Sequence, residues 1–93
     1  MVLKKEMTMN QSYLPVDILG VDDYPERVAV RVHNTTEKCI LGIDENLIKD
    51  IDGVSHIPVS SLGTNFETKM NHYVLPQTSY NGFTVISIPR NHF

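Results

Sequence analysis

Cysteine is nearly absent: Cys39 stands alone among the 93 residues. One thiol excludes an internal disulfide framework and a multi-thiolate metal centre, and it suits a reducing, cytoplasmic setting. Glycine is sparse, with Gly20, Gly42, Gly53, Gly63 and Gly82 all isolated, so no glycine-rich loop is available to cradle a phosphate. Basic residues do not dominate: 8 Lys and Arg against 11 Asp and Glu give a net charge of −3. Coating nucleic acid by bulk electrostatics needs clustered cations in excess, which excludes that mode. No apolar run approaches the roughly 20 residues of a membrane-crossing helix, and no hydrophobic stretch of the signal-peptide kind follows Lys4 and Lys5. A membrane partner is therefore not expected. Like-charge blocks, heptads and internal repeats are missing too.

Site chemistry is equally thin. His33, His56, His72 and His92 have no near neighbour at zinc-ligand spacing among themselves or with Cys39. Asp50, Asp52, Gly53 and Ser55 carry part of the oxygen spacing of a calcium loop, but they lack its third acid and distal glutamate, and an Asp-Gly turn explains them. Ser60, Ser61, Ser79 and Ser87 lack the glycine context of a nucleophile elbow. Asp22 and Asp23 precede Pro25 and read as turn residues. The expectation is a protein that is not an enzyme and uses no cofactor or metal.

What is present is alternation. From Glu26 to Ile43, Val28, Val30 and Val32 alternate with Arg27, Ala29, Arg31 and His33, the period that sends successive side chains to opposite faces of a sheet. A loop at 34–37 folds this stretch into a hairpin in which Val32 faces Cys39, Val30 faces Leu41 and Val28 faces Ile43. The other face then carries Arg27, Arg31, His33 and Lys38 around Ile40 and the small pair Ala29 and Gly42.

Along the rest of the chain, residues 1–12 read as a polar, mobile lead-in and 13–93 as a single β-rich domain. Residues 13–21 form a strand with Pro15 at an edge or start, and 22–25 a turn. In 44–51 Asp44 caps one or two helical turns; the alternative uses Asp52-Gly53 as a hairpin turn and makes 47–51 a strand. A short strand at 54–59 leads into a loop at 60–65, and 66–71 is loop or a single turn. Residues 72–80 and 83–88 flank Asn81-Gly82 as a second hairpin, with 83–88 interior and Pro76 marking an edge, before a tail at 89–93.

These elements define a mainly β protein, a small antiparallel barrel or sandwich of five to six short strands with at most one short helix near 44–51. An α+β meander with that helix packed on the sheet is the alternative. A charged outer face is by itself only a solvated surface that discourages edge aggregation. Ile40 and the Ala29–Gly42 dent point further, because close backbone approach suits a docking partner. The functional expectation is a non-enzymatic binding module acting by protein–protein contact through edge strands and the Arg27, Arg31 and Ile40 face, self-association included, as a regulator, inhibitor or assembly subunit. Its contact residues are Arg27, Arg31, His33, Lys38, Ile40 and Tyr80, the last beside the Asn81-Gly82 turn. A second reading places nucleic acid on the Arg27, Arg31 and Lys38 face, with tyrosines stacking on bases.

Overall fold

The computed structural model describes residues 10–21 and 26–90. The lead-in through residue 9, the turn expected at 22–25 and the tail at 91–93 lie outside the described residues.

Valine alternation builds the first ladder as expected. Strand β2 (Arg27–Val32) pairs antiparallel with β3 (Ile40–Asp44) in the register Val28↔Ile43, Ala29↔Gly42, Val30↔Leu41 and Arg31↔Ile40. The Val32 N–H donates to the Cys39 carbonyl at 3.0 Å, and Asn34 takes the left-handed turn conformation at φ 62°. Val30, Cys39, Leu41 and Ile43 are fully buried along the inner face, each aliphatic side chain contributing about 1.5–3 kcal/mol of transfer free energy. Burial also pushes the Cys39 thiol pKa up, so it is an inert core group.

Strand β1 (Asn10–Val21) is where the sheet bends. Its first half pairs with β5 (Val54–Asn65), from Asn10↔Ser61 to Pro15↔His56, and its second half pairs with β2, from Val16↔Val32 to Val21↔Val28. Pro15 marks the hand-over rather than an edge or a strand start. Its carbonyl accepts the His33 N–H at 3.1 Å, and its missing donor costs one ladder bond where the strand changes partners. A bulge between Ile18 and Gly20 adds twist beyond that point. The strand begins at Asn10, so residues 10–12 of the expected lead-in belong to the sheet.

Three local expectations need correction. The helix at 44–51 shrinks to a 3-10 turn, Glu45–Leu47, capped by the Asp44 carboxylate accepting the Asn46 N–H at 2.9 Å. Strand β4 (Lys49–Ile51) follows and closes on β5 through Ile51↔Val54. Asp52 at φ 53° and Gly53 at φ 83° supply the two positive φ angles of a tight hairpin turn, so turn chemistry wins over the cap. The loop expected at 60–65 is instead the second half of β5, paired with β6 (Met70–Val74). Gly63, at φ 105°, adjoins the register shift after Ser61 and lets this polar stretch stay in the ladder.

The third correction concerns Asn81-Gly82. β6 and β7 (Val85–Pro89) do form a hairpin, but Val74 faces Val85 and the connection runs over 75–84. A tight turn at Asn81-Gly82 would instead have set Tyr80 against Phe83. The Asn-Gly pair turns only the tip of this longer loop, with the Ser79 N–H donating to the Phe83 carbonyl at 2.8 Å. β7 is also the last strand of the sheet rather than an interior one, and Pro89 belongs to it rather than to a tail.

The seven-stranded antiparallel sheet, β3-β2-β1-β5-β6-β7 with β4 on β5, curls into a half-barrel around Leu14, Val16, Val30, Leu41, Ile57, Val59, Leu75 and Ile86. Its two ends meet through backbone bonds. The Thr36 N–H donates to the Ser87 carbonyl at 3.2 Å, and the Tyr80 N–H donates to the Ile40 carbonyl at 2.9 Å. The mainly β, barrel-like expectation holds, and no helix packs on the sheet among the described residues.

Candidate functional site

The outer face of the β2–β3 hairpin is not the bare cationic surface that its sequence suggests. Asp17 of β1 pairs in register with Arg31, and its carboxylate accepts from Arg31 Nη2 at 2.8 Å and from His33 Nε2 at 2.9 Å. One acid therefore ties down two of the expected contact residues. These hydrogen bonds, Arg31 first and His33 second, hold the Asp17 carboxyl below its ordinary value despite some desolvation. A carboxyl lowered in the folded state contributes stability above its unfolded pKa of about 3.9, and that contribution is lost as pH falls through the folded value. NMR titration should find Asp17 below the usual aspartate range in the wild type and moved upward in Arg31→Gln. Equal titration in the two proteins would show that the arginine does not set it.

The Ala29–Gly42 dent is filled from within the chain. Because Val32 and Cys39 form a hydrogen-bonded pair, the carbonyls of Ile40 and Gly42 point away from β2, toward the open edge of β3. Arg27 Nη2 donates to the Gly42 carbonyl at 3.1 Å, and Gly42 is buried. The guanidinium thus caps the edge of β3 at this carbonyl. The Tyr80 N–H occupies the Ile40 carbonyl on the same edge, while on β7 Thr36 occupies the Ser87 carbonyl and Pro89 has no N–H to offer. Both terminal strands are blunted in the way that natural sheets resist edge-to-edge pairing. Contact through these edges is therefore disfavoured.

What comes together instead is a groove where the two ends of the sheet meet. Lys38, Ile40, Tyr80 and Asn81 line a volume of about 270 Å³. Asn81 Nδ2 donates to the Lys38 carbonyl at 3.3 Å, and Tyr80 is 59% exposed. The loop that carries Tyr80 is organised by Ser79, a buried polar residue whose Oγ donates to Asn81 Oδ1 at 2.8 Å and accepts the Phe83 N–H at 2.9 Å. Alongside it, Thr35, Thr36, Glu37, Phe83, Val85, Ile86 and Ser87 line a pocket of about 170 Å³.

Of the six residues singled out from sequence, Lys38, Ile40 and Tyr80 share this groove. Arg31 and His33 cluster on Asp17, and Arg27 lines a separate hollow with Glu26 and Asp44. Sequence reasoning missed Asp17, which pairing β1 onto β2 would have exposed as the residue opposite Arg31. It also missed Ser79 and Asn81, whose roles depend on a loop closure that periodicity does not register.

Among the described residues no three His, Cys, Asp or Glu side chains converge to hold a metal ion, and no helix is long and apolar enough to cross a membrane. No protein-family model, curated protein or solved structure matches this chain.

Proposed function

We propose that this chain is a non-enzymatic binding module that works by protein–protein contact, as a regulator, inhibitor or assembly subunit in the cytoplasm. The contact runs through the groove of Lys38, Ile40, Tyr80 and Asn81. What supports this reading is one arrangement: an exposed tyrosine and a partly buried isoleucine form an apolar groove with a lysine beside them. Tyrosine offers large contact area at low conformational cost and is enriched among the residues that carry binding energy. The nucleic-acid reading is weaker, because Arg31 and His33 are held by an acid and Arg27 by the Gly42 carbonyl on the edge of β3.

The test is capture of protein partners, itself included, by wild type and by Tyr80→Ala with Ile40→Ser, before and after nuclease treatment. The expected result is association that survives nuclease and weakens by about tenfold or more in the double variant, the loss typical of a tyrosine anchor. Unchanged association in a folded double variant removes this groove from the mechanism. Association abolished by nuclease and falling steeply with salt transfers it to nucleic acid.

A further inference from the structure

The partner can be narrowed from the charges around the groove. Glu37 and Lys38 are consecutive, exposed and oppositely charged. Lys38 lines the groove with Ile40 and Tyr80, while Glu37 lines the pocket with Phe83 and Val85. One short ridge thus separates a cationic hollow from an anionic one. The ion pairs among the described residues all involve Asp17, so neither Glu37 nor Lys38 has its charge matched there. Around the ridge stand Tyr80, 59% exposed, Val85, 44% exposed, and Phe83, 37% exposed.

A contact between two copies about a two-fold axis uses the same patch on both, so the patch must carry both halves of every complementary pair. This one does. A two-fold axis at the ridge would lay each Lys38 against the partner's Glu37 and set each Tyr80 over the pocket formed by the partner's Phe83 and the partner's Val85. A tyrosine there has an aromatic face to meet. A stable contact needs roughly 800 Å² per copy, about one-eighth of the chain's 6245 Å² surface, so it must take in groove and pocket together. The open edges of β3 and β7 beside this surface are blunted, so the contact there is made by side chains rather than by strand addition.

We propose that two copies of this chain associate across a two-fold axis through residues 35–40 and 79–87, Lys38 of each copy facing Glu37 of the other. This rests on the protein–protein reading above and names its partner.

The test is native mass spectrometry and sedimentation of wild type, Lys38→Glu, Glu37→Lys and the double exchange, with circular dichroism to confirm folding. Wild type should dimerise. Each single variant sets like charges face to face twice and should weaken the dimer by at least about tenfold. The double exchange restores both pairs and should restore the dimer. An equimolar mixture of the two single variants should form heterodimers in preference to either homodimer. A monomeric wild type at about 0.1 mM, or a dimer indifferent to these exchanges, overturns the inference. A monomeric wild type that still captures a different protein through Tyr80 and Ile40 leaves the protein–protein reading standing. Loss of all protein association takes both away.

Discussion

Leu41→Ala is expected to lower the free energy of unfolding by about 3 kcal/mol, within the 2–5 kcal/mol range for emptying a well-packed leucine site. Leu41 has no exposed surface and lies on the inner face of β3, facing Val30 and packed in the same core as Ile43, Ile57 and Cys39. The ladder to β2 and the bond from the Tyr80 N–H to the Ile40 carbonyl hold β3 in place, so the backbone has little freedom to collapse into the space. A domain of this size holds about 5–15 kcal/mol in all, and a loss of 3 kcal/mol should move the thermal midpoint down by roughly 12–24 °C. Urea denaturation monitored by circular dichroism measures it. A loss under about 1 kcal/mol would mean that the inner face of the β2–β3 hairpin is not the core.

Ser79→Val has the second-largest expected effect, about 1–3 kcal/mol, because it removes the acceptor of one hydrogen bond and the donor of another inside the loop. Ser79 is buried, its Oγ accepts the Phe83 N–H at 2.9 Å and donates to Asn81 Oδ1 at 2.8 Å, and its own N–H and carbonyl bond to Phe83 and Gly82. Valine approximates the volume but offers neither group. The consequence reaches the surface: Asn81 holds Lys38, and Tyr80 lies between Ser79 and Asn81. The variant should therefore exchange the Phe83 amide faster and weaken any Tyr80-dependent association, and Ser79→Thr should rescue both by keeping the hydroxyl. Full stability with a protected Phe83 amide would show that the loop is held by its backbone bonds alone.

The legible parts of this protein share a physical basis. Val28, Val30 and Val32 alternate with polar neighbours, and side-chain direction in a strand has a period of two, so a turn near Asn34 was enough to fix every cross-strand pair. The inward position of Cys39 followed from the same arithmetic. Where two local preferences competed, sequence alone chose badly. Asp44 does cap a helical turn, but the positive φ angles at Asp52 and Gly53 and the presence of β5 as a partner convert the following residues to a strand. Asn81-Gly82 signalled a tight hairpin correctly as chemistry and wrongly as register, because Ser79 closes a longer loop around it. Residues 60–65 looked like loop because their polarity suits solvent. They are strand because β6 supplies the ladder.

The candidate surface divides along the same line. Lys38 and Ile40 are neighbours on one strand face by periodicity, and that much was available from the residues. That Tyr80 joins them depends on the bond from its N–H to the Ile40 carbonyl, a contact between residues far apart in the chain. The expected cationic character of Arg31 and His33 failed for the complementary reason: the acid that neutralises them is on β1, paired beside them only once the sheet has formed.

By itself the sequence determined the β class, the inner and outer faces of the Glu26-to-Ile43 hairpin, and the want of any local catalytic or metal motif. These follow from periodicity and spacing, which act over a few residues. Only the tertiary structure decided which strands are terminal, how their edges are capped, which charges are already matched, and that Lys38, Ile40 and Tyr80 meet beside Glu37. Those outcomes depend on ladders and loop closures between distant segments, where a single backbone bond selects among arrangements that local preference leaves nearly equal.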